Sequence, residues 1–330
     1  MSRSGLVLYH GIESGPELKQ YGLLAENAGY ESLWVTERYF HEEIFSLLGY
    51  LGAATERIKL GVGVTNPYTR NPALLAMATA TLDRITGGRF VLGLGRSERE
   101  VIQGRMGMAY GNAQAAMRGG VSLLKRLLSG ERVSDTAGPF TLRNARLATT
   151  PIQPNLPIYL AAIGKKGLRL AGAIADGVLL NAYVPPSYVT YAVEELRSAA
   201  QEAGRDPQSI DIACMLVIRL TDDPQRLLPT LKKRIVRLLD EAYVGEILLD
   251  KGGFDPSILG PLRESYAKDG GTEAVQLITD EMVASFYLIG SEEQCRQRIA
   301  EYRAAGVDLP LILPRLEDYA RVADAFRPGR

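Results

Sequence analysis

The sequence predicts a (β/α)8 barrel, on three observations. Short apolar runs alternate with amphipathic helical stretches along the whole chain, about eight times over. The apolar runs, such as 58–62 and 90–94, are nearly continuous in hydrophobic residues, as parallel strands covered on both faces are. The chain has 330 residues and no low-complexity linker divides it, which suits one barrel of about 250 residues or more. A doubly wound open sheet is the competing architecture. It would carry a glycine-rich dinucleotide loop in its first strand-to-helix turn, and Gly11-Ile12-Glu13-Ser14-Gly15 does not spell one.

The elements follow in order. Residues 6–10 read as the first strand. Residues 16–28 carry a helical stripe through Leu18, Tyr21, Leu24 and Ala25 that ends at Gly29. Strand 32–35, helix 45–54 and strand 58–64 come next. Helix 72–85 opens on a proline in its first turn and closes at Gly87-Gly88, before strand 89–95. A longer helical region reaches residue 128. The rhythm then breaks: 131–147 holds two short extended runs around Ala137-Gly138-Pro139, a β-hairpin inserted between barrel units. It resumes with strand 157–161, helix 167–175, strand 177–180, helix 186–203, strand 210–218 and helix 224–241. Residues 245–284, with Gly252-Gly253 and Gly270-Gly271, are expected to form an irregular insertion with short helices before the last helix. That last helix, 292–304, is capped by Ser291 and followed by Gly306 and the final strand 307–313. A single domain spanning 1–330 is therefore expected, with insertions at about 131–147 and 245–284.

Thirty-eight basic residues balance 38 acidic ones, so no broad cationic face is available for nucleic acid or for a membrane surface. Two cysteines, Cys214 and Cys295, are far apart and fit packed, reduced thiols. The histidines are His10 and His41, with no HExxH or Cys/His cluster to build a zinc site. The N-terminus runs straight into a strand, without the apolar run of a signal peptide, and no apolar stretch approaches the ~18 residues of a membrane span. A cytoplasmic protein is expected, acting on a small molecule.

In such a barrel the ligand lies at the carboxyl ends of the strands. Attention therefore falls on Tyr9 and His10; on Thr36, Glu37 and Arg38; on Gly63 to Asn66; on Arg96, Ser97 and Glu98; on 163–167; on Asn181; and on Pro314 and Arg315. Ile163-Gly164-Lys165-Lys166-Gly167, directly before a helix, has the makings of an anion cradle: glycines admit close backbone approach, the helix start offers free N–H groups, and lysines add charge. An ordinary surface loop has the same composition. Two glycines in the buried strand Gly61-Val62-Gly63-Val64 weaken it unless a flat ligand or another backbone must come close; a plain bulge at the barrel rim is the alternative. Glu37-Arg38 could equally be a structural ion pair on the rim.

The stretch 60–70, followed by Thr79-Ala80-Thr81-Leu82-Asp83 and by 87–95, resembles the luciferase-like superfamily, in particular its F420-dependent branch of methylenetetrahydromethanopterin reductases. Tyr159-Leu160-Ala161-Ala162-Ile163-Gly164, Ala171-Gly172 and 175–181 are similar to a second block of the same family. The likeness covers most of the chain in order. It implies a barrel with a non-prolyl cis peptide between Gly63 and Val64, in a bulge reaching Thr65 that backs a deazaflavin ring. It also implies that Ile163, Gly164, Lys165, Lys166 and Gly167 hold the cofactor phosphate, and that Asn66, Glu98 and Asn181 line the ring and substrate pocket. Glu37 falls where F420-dependent relatives usually carry an aspartate near the cofactor.

Two departures stand out. Relatives often place a histidine after that acid, where this chain has Arg38 and then Tyr39. Arginine stays protonated, so it cannot donate a proton near neutral pH, though it can pair with an anion or stabilise developing negative charge. The reductases also carry a glutamate at the end of the first strand, where this chain has Tyr9 and His10. Proton delivery would then fall to Glu98, Tyr39 or His10, in falling order. The implied activity is hydride transfer between coenzyme F420 and a small organic substrate, with reduction of a C=C or C=N bond favoured. An FMN-dependent monooxygenase is one alternative, and a non-catalytic ligand-binding barrel another. By the same resemblance a homodimer is expected; the alanine- and methionine-rich helix at residues 73–85 could serve as its interface or equally be ordinary barrel packing.

Overall fold

The computed structural model describes residues 3–241 and 243–329. Eleven strands occur among them: β1 (Gly5–Leu8), β2 (Ser32–Val35), β3 (Lys59–Val62), β4 (Phe90–Leu94), β5 (Val133–Ala137), β6 (Phe140–Ala145), β7 (Ile158–Ala162), β8 (Gly177–Leu180), β9 (Asp211–Leu220), β10 (Leu288–Gly290) and β11 (Leu309–Leu313). Eight of them form the barrel, all parallel, in the order β1-β2-β3-β4-β7-β8-β9-β11, with β11 pairing back to β1. Helices lie between successive strands and cover the outside. β5 and β6 make the antiparallel hairpin expected at 131–147.

Four features differ from the sequence expectation. First, the short strand β10 adds to β9 in parallel, Leu288 opposite Ile218 and Gly290 opposite Leu220. Three residues are too few to show strand periodicity. Second, a helix Tyr319–Ala325 follows the last strand. Third, the insertion is more regular than its composition suggests, with helices Val244–Gly252, Leu259–Asp269 and Asp280–Phe286. Its double glycines are left-handed helix caps: Gly253 has φ 74° and Gly270 φ 72°, a conformation glycine enters without a Cβ clash. The region before residue 128 is also interrupted, by a π-helical turn at Glu100–Arg105 ahead of helix Ala113–Leu128. No helix of the described residues is long and apolar enough to cross a membrane.

The amino end of the barrel is closed by an ionic layer. Arg3 donates to Glu31 at 2.7 Å and to Asp211 at 2.7 and 2.8 Å. Tyr159 also donates to Asp211, and its ring lies 5.4 Å from that of Trp34. Asp211, the first residue of β9, therefore faces the barrel axis. At mid-height Met215, four residues on, reaches across to Gly63. Since strand side chains alternate faces, the odd-numbered residues of β9 project inward.

The opposite end is shaped by one close approach. The peptide bond between Gly63 and Val64 is cis. The chain beyond it stays hydrogen-bonded to β4, with the Thr65 N–H donating to the Gly93 carbonyl at 2.9 Å and the Gly95 N–H to the Thr65 carbonyl at 2.7 Å. A Cβ on Gly93 would lie 2.0 Å from the Val62 carbonyl oxygen. Only glycine permits the two strands to meet there, and the bulge depends on it.

Candidate active site

Four side chains from the ends of β2 and β3 interlock at the mouth. Glu37 is buried and accepts from Arg70 at 2.5 Å and from the Thr65 hydroxyl at 2.7 Å. Arg70 also donates to Thr65 at 3.1 Å, pairs with Glu43, and lies 4.9 Å above the Phe45 ring. Glu37 thus takes Arg70 as its partner, and the reading of Glu37-Arg38 as a rim ion pair is corrected. Residue 70 can reach back because Asn66 folds the loop between them: its side-chain carbonyl accepts from the Tyr68 and Thr69 N–H groups, both at 2.9 Å, an Asx turn.

The amide of Asn66 extends the network toward β4. It donates to the Tyr39 hydroxyl at 2.8 Å and to Thr69 at 3.0 Å, while Tyr39 donates to Ser97 at 2.6 Å. Burial pushes the Tyr39 phenol up to about 12, and the negative charges of Glu37 and Glu98 act in the same direction. Tyr39 is therefore a neutral donor throughout the physiological range. Ser97 holds a left-handed backbone, φ 57°, and its carbonyl accepts from Tyr110 at 3.0 Å. Next to it, Glu98 is exposed at the mouth. The Glu98 charge also reaches Glu241, at the end of helix Leu228–Asp240, whose carboxyl is held above its ordinary range by burial and then by that repulsion.

Arg38 belongs to a separate group. It donates to the Tyr9 hydroxyl at 2.9 Å and approaches His10 Nε2 at 2.9 Å. Because arginine only donates, Nε2 must accept, which leaves the imidazole proton on Nδ1. The rings of Tyr9 and His41 lie 4.3 and 4.4 Å from His10. Burial, then Arg38 and His41, lower the His10 pKa, against a smaller opposing effect of Glu42. His10 is thus neutral at pH 7. In an NMR titration its ring should protonate below the ordinary midpoint of about 6.5, and Arg38→Met should move that midpoint up. An unmoved midpoint would show that Arg38 does not control the tautomer.

The turn after β7 opens at the same end of the barrel, with only β4 between it and β3. Gly164 is the N-cap of helix Lys165–Ile174 and offers no side chain to the first-turn N–H groups, so those donors remain available to an anion. A Cβ on Gly164 would come within 2.0 Å of the Tyr243 hydroxyl. The Ile163 carbonyl accepts from Tyr188 at 2.7 Å, which fixes the strand end. The two lysines are placed differently from the sequence expectation. Lys165 pairs with Glu195 at 2.8 Å. Lys166 lines a groove of about 450 Å³ beside Arg118 and Arg169, on the outside of the barrel. Gly167 sits in the first helical turn, and Asn181, just past β8, is exposed.

The structure therefore joins Glu37 to Thr65 and Asn66 to Tyr39 on adjacent residues of one loop, sets Glu98 beside them through Ser97, and keeps Arg38 and His10 as a neighbouring pair. Sequence reasoning gave no role to Arg70, Ser97 or Tyr243. Arg70 was within reach, since it closes the same motif as Asn66. Tyr243 comes from the insertion, and nothing local to it points at Gly164.

The chain is similar to known proteins over most of its length. The chain is 33% identical over 299 residues to a 5,10-methylenetetrahydromethanopterin reductase of Methanolobus tindarius, covering 90% of each chain. It is 32% identical over 306 residues to the reductase of the same name from Archaeoglobus fulgidus, again over 90% of each. The solved structure of the coenzyme F420-dependent tetrahydromethanopterin reductase from Methanopyrus kandleri superposes with a TM-score of 0.86 at 25% identity, over 99% of this chain and 97% of that one. The model of the luciferase-like monooxygenase family matches residues 2–309, and the chain belongs to that family.

Proposed function

We propose that this protein is an F420-dependent oxidoreductase that exchanges a hydride with a small organic substrate, as its reductase relatives' names suggest. The observation that carries the reading is the single mouth shared by two features. One is the Gly63/Val64 bulge with its polar border of Glu37, Thr65, Asn66 and Tyr39. The other is the helix start at Gly164, whose N–H groups have no side-chain cap and against which Tyr243 packs too closely for any Cβ.

These residues fit a flat ring with an anionic chain. The bulge would back the ring, and the N–H groups of Lys165, Lys166 and Gly167 would take the phosphate. Bound F420 supplies the hydride or accepts it. The protein's part is to position, to exclude water and to handle one proton. Glu98 would deliver that proton, held near the ring by the Ser97 turn; Tyr39 and Arg38 would orient polar groups on the substrate; His10, neutral and tied to Arg38, would keep that arginine in place.

The affinities for F420 and for FMN test the reading on purified protein. Fluorescence titration should give at least tenfold tighter binding of F420, whereas equal or stronger binding of FMN would move the protein to the monooxygenase reading, and binding of neither would leave a non-catalytic barrel.

The same reading includes a homodimer and a single working domain. Helix Pro72–Ile85 exposes Leu74, Met77 and Ile85 along one side, an apolar stripe suited to a partner copy. Light scattering should report a dimer for the wild type and a monomer for Met77→Asp; a wild-type monomer would remove the dimer from the account.

A further inference from the structure

Arg219 is an arginine in the barrel interior without a counter-ion. It lies on β9 and is 8% exposed. Its Nη1 donates to the Ile218 carbonyl of the neighbouring backbone at 2.6 Å. No carboxylate pairs with it among the described residues; the ionisable groups whose charges reach it are Tyr287, Tyr183, Arg234 and Arg315. Arginine is almost never this buried without an acidic partner, because the lost hydration is not replaced. A fork of five N–H donors with one in use calls for an acceptor from outside the chain.

The direction in which it points follows from β9. Asp211 and Met215 face the axis, so alternation carries Val217 and Arg219 to the same face. Arg219 stands about 13 Å along the strand above Met215 at ~3.3 Å per residue, which brings it to the mouth. In the strand order, β9 is four places from β3 around an eight-strand ring. Arg219 therefore looks across the opening toward the Gly63/Val64 bulge, whose far wall Met215 touches lower down. Beside it lies the buried ring of Tyr287. Its ring lies 5.9 Å from the Arg219 guanidinium and edge-on to Tyr183 at 5.1 Å.

We infer that Arg219, beside the Tyr287 ring, is the docking point for a carboxylate on the substrate. A carboxylate accepts two parallel bonds from one guanidinium edge, which a single planar fork can supply. Held there, the acid would keep the rest of the substrate between β9 and the bulge. The inference rests on the proposed function for the statement that the ligand is a substrate, but the site is assigned by this chain's own residues.

The test uses the purified full chain without cofactor. Calorimetric titration with trans-cinnamate and with its neutral amide, trans-cinnamamide, should show saturable binding of the acid and at least tenfold weaker binding of the amide. In Arg219→Met the preference for the acid should vanish, and in Arg219→Lys part of it should remain. Arg219→Met should melt no lower than wild type, because removing an uncompensated buried charge relieves desolvation. Equal binding of acid and amide, no binding of the acid, or a large fall in melting temperature with unchanged cinnamate binding would each overturn the assignment. F420 affinity, measured alongside, should be the same in wild type and Arg219→Met. Its absence from both, with the acid preference intact, would count against the proposed function and leave the carboxylate site standing.

Discussion

Arg70→Met is expected to lower stability by about 3–5 kcal/mol, the usual cost of leaving a buried charge without its partner. The Glu37 side chain is 8% exposed and that of Arg70 15%, so water can replace little of the lost attraction. Thr65 would remain as a lone donor to Glu37, while Glu43 would keep its donors Phe45 and Ser46 at the start of the following helix. Urea unfolding of the variant reads the loss directly. The double variant Arg70→Met with Glu37→Gln should recover most of it, since the uncompensated carboxylate is gone, whereas a single variant as stable as wild type would show that the pair is not a structural clamp. Because Thr65 belongs to the bulge, the single variant should also bind F420 more weakly.

Glu98→Gln is expected to lower kcat by about 10²–10⁴-fold, the range for removing a positioned general acid or base, with KM little changed. Glutamine keeps the shape and a hydrogen-bonding end but carries no transferable proton. The Ser97 turn that presents residue 98 is held by Tyr110 and Tyr39, so the substitution should leave the mouth in place. Steady-state kinetics at one pH are sufficient to see an effect of this size. An unchanged kcat would move proton delivery to Tyr39, whose phenol is held neutral by burial.

The fold was legible because its signal is local and repeated. Buried parallel strands are continuously apolar, and proline and glycine mark the helix ends, so eight units could be placed from pattern alone. β10 was missed because a strand of three residues has no period, and the helices of the insertion were underrated because glycine pairs that cap a helix look like glycine pairs in a loop. The site was legible by segment and much less by partner. Glu37, Thr65, Asn66 and Tyr39 were all named, yet nothing in sequence spacing tells whether Glu37 meets Arg38, one residue away, or Arg70, 33 residues away. Lys165 shows the same limit: its neutralisation by Glu195 depends on helix Pro186–Glu202 packing against its own helix. Arg219 was invisible for a different reason. An arginine near a strand end reads as a surface residue until closure of the barrel turns it inward.

The crystal structure of the protein with F420 bound is the most direct test of the whole account. The deazaflavin ring should lie against the Gly63/Val64 bulge, bordered by Asn66 and Tyr39, with its phosphate on the first-turn N–H groups after Gly164. A ring seated elsewhere, or a phosphate that reaches solvent without touching that turn, would contradict it.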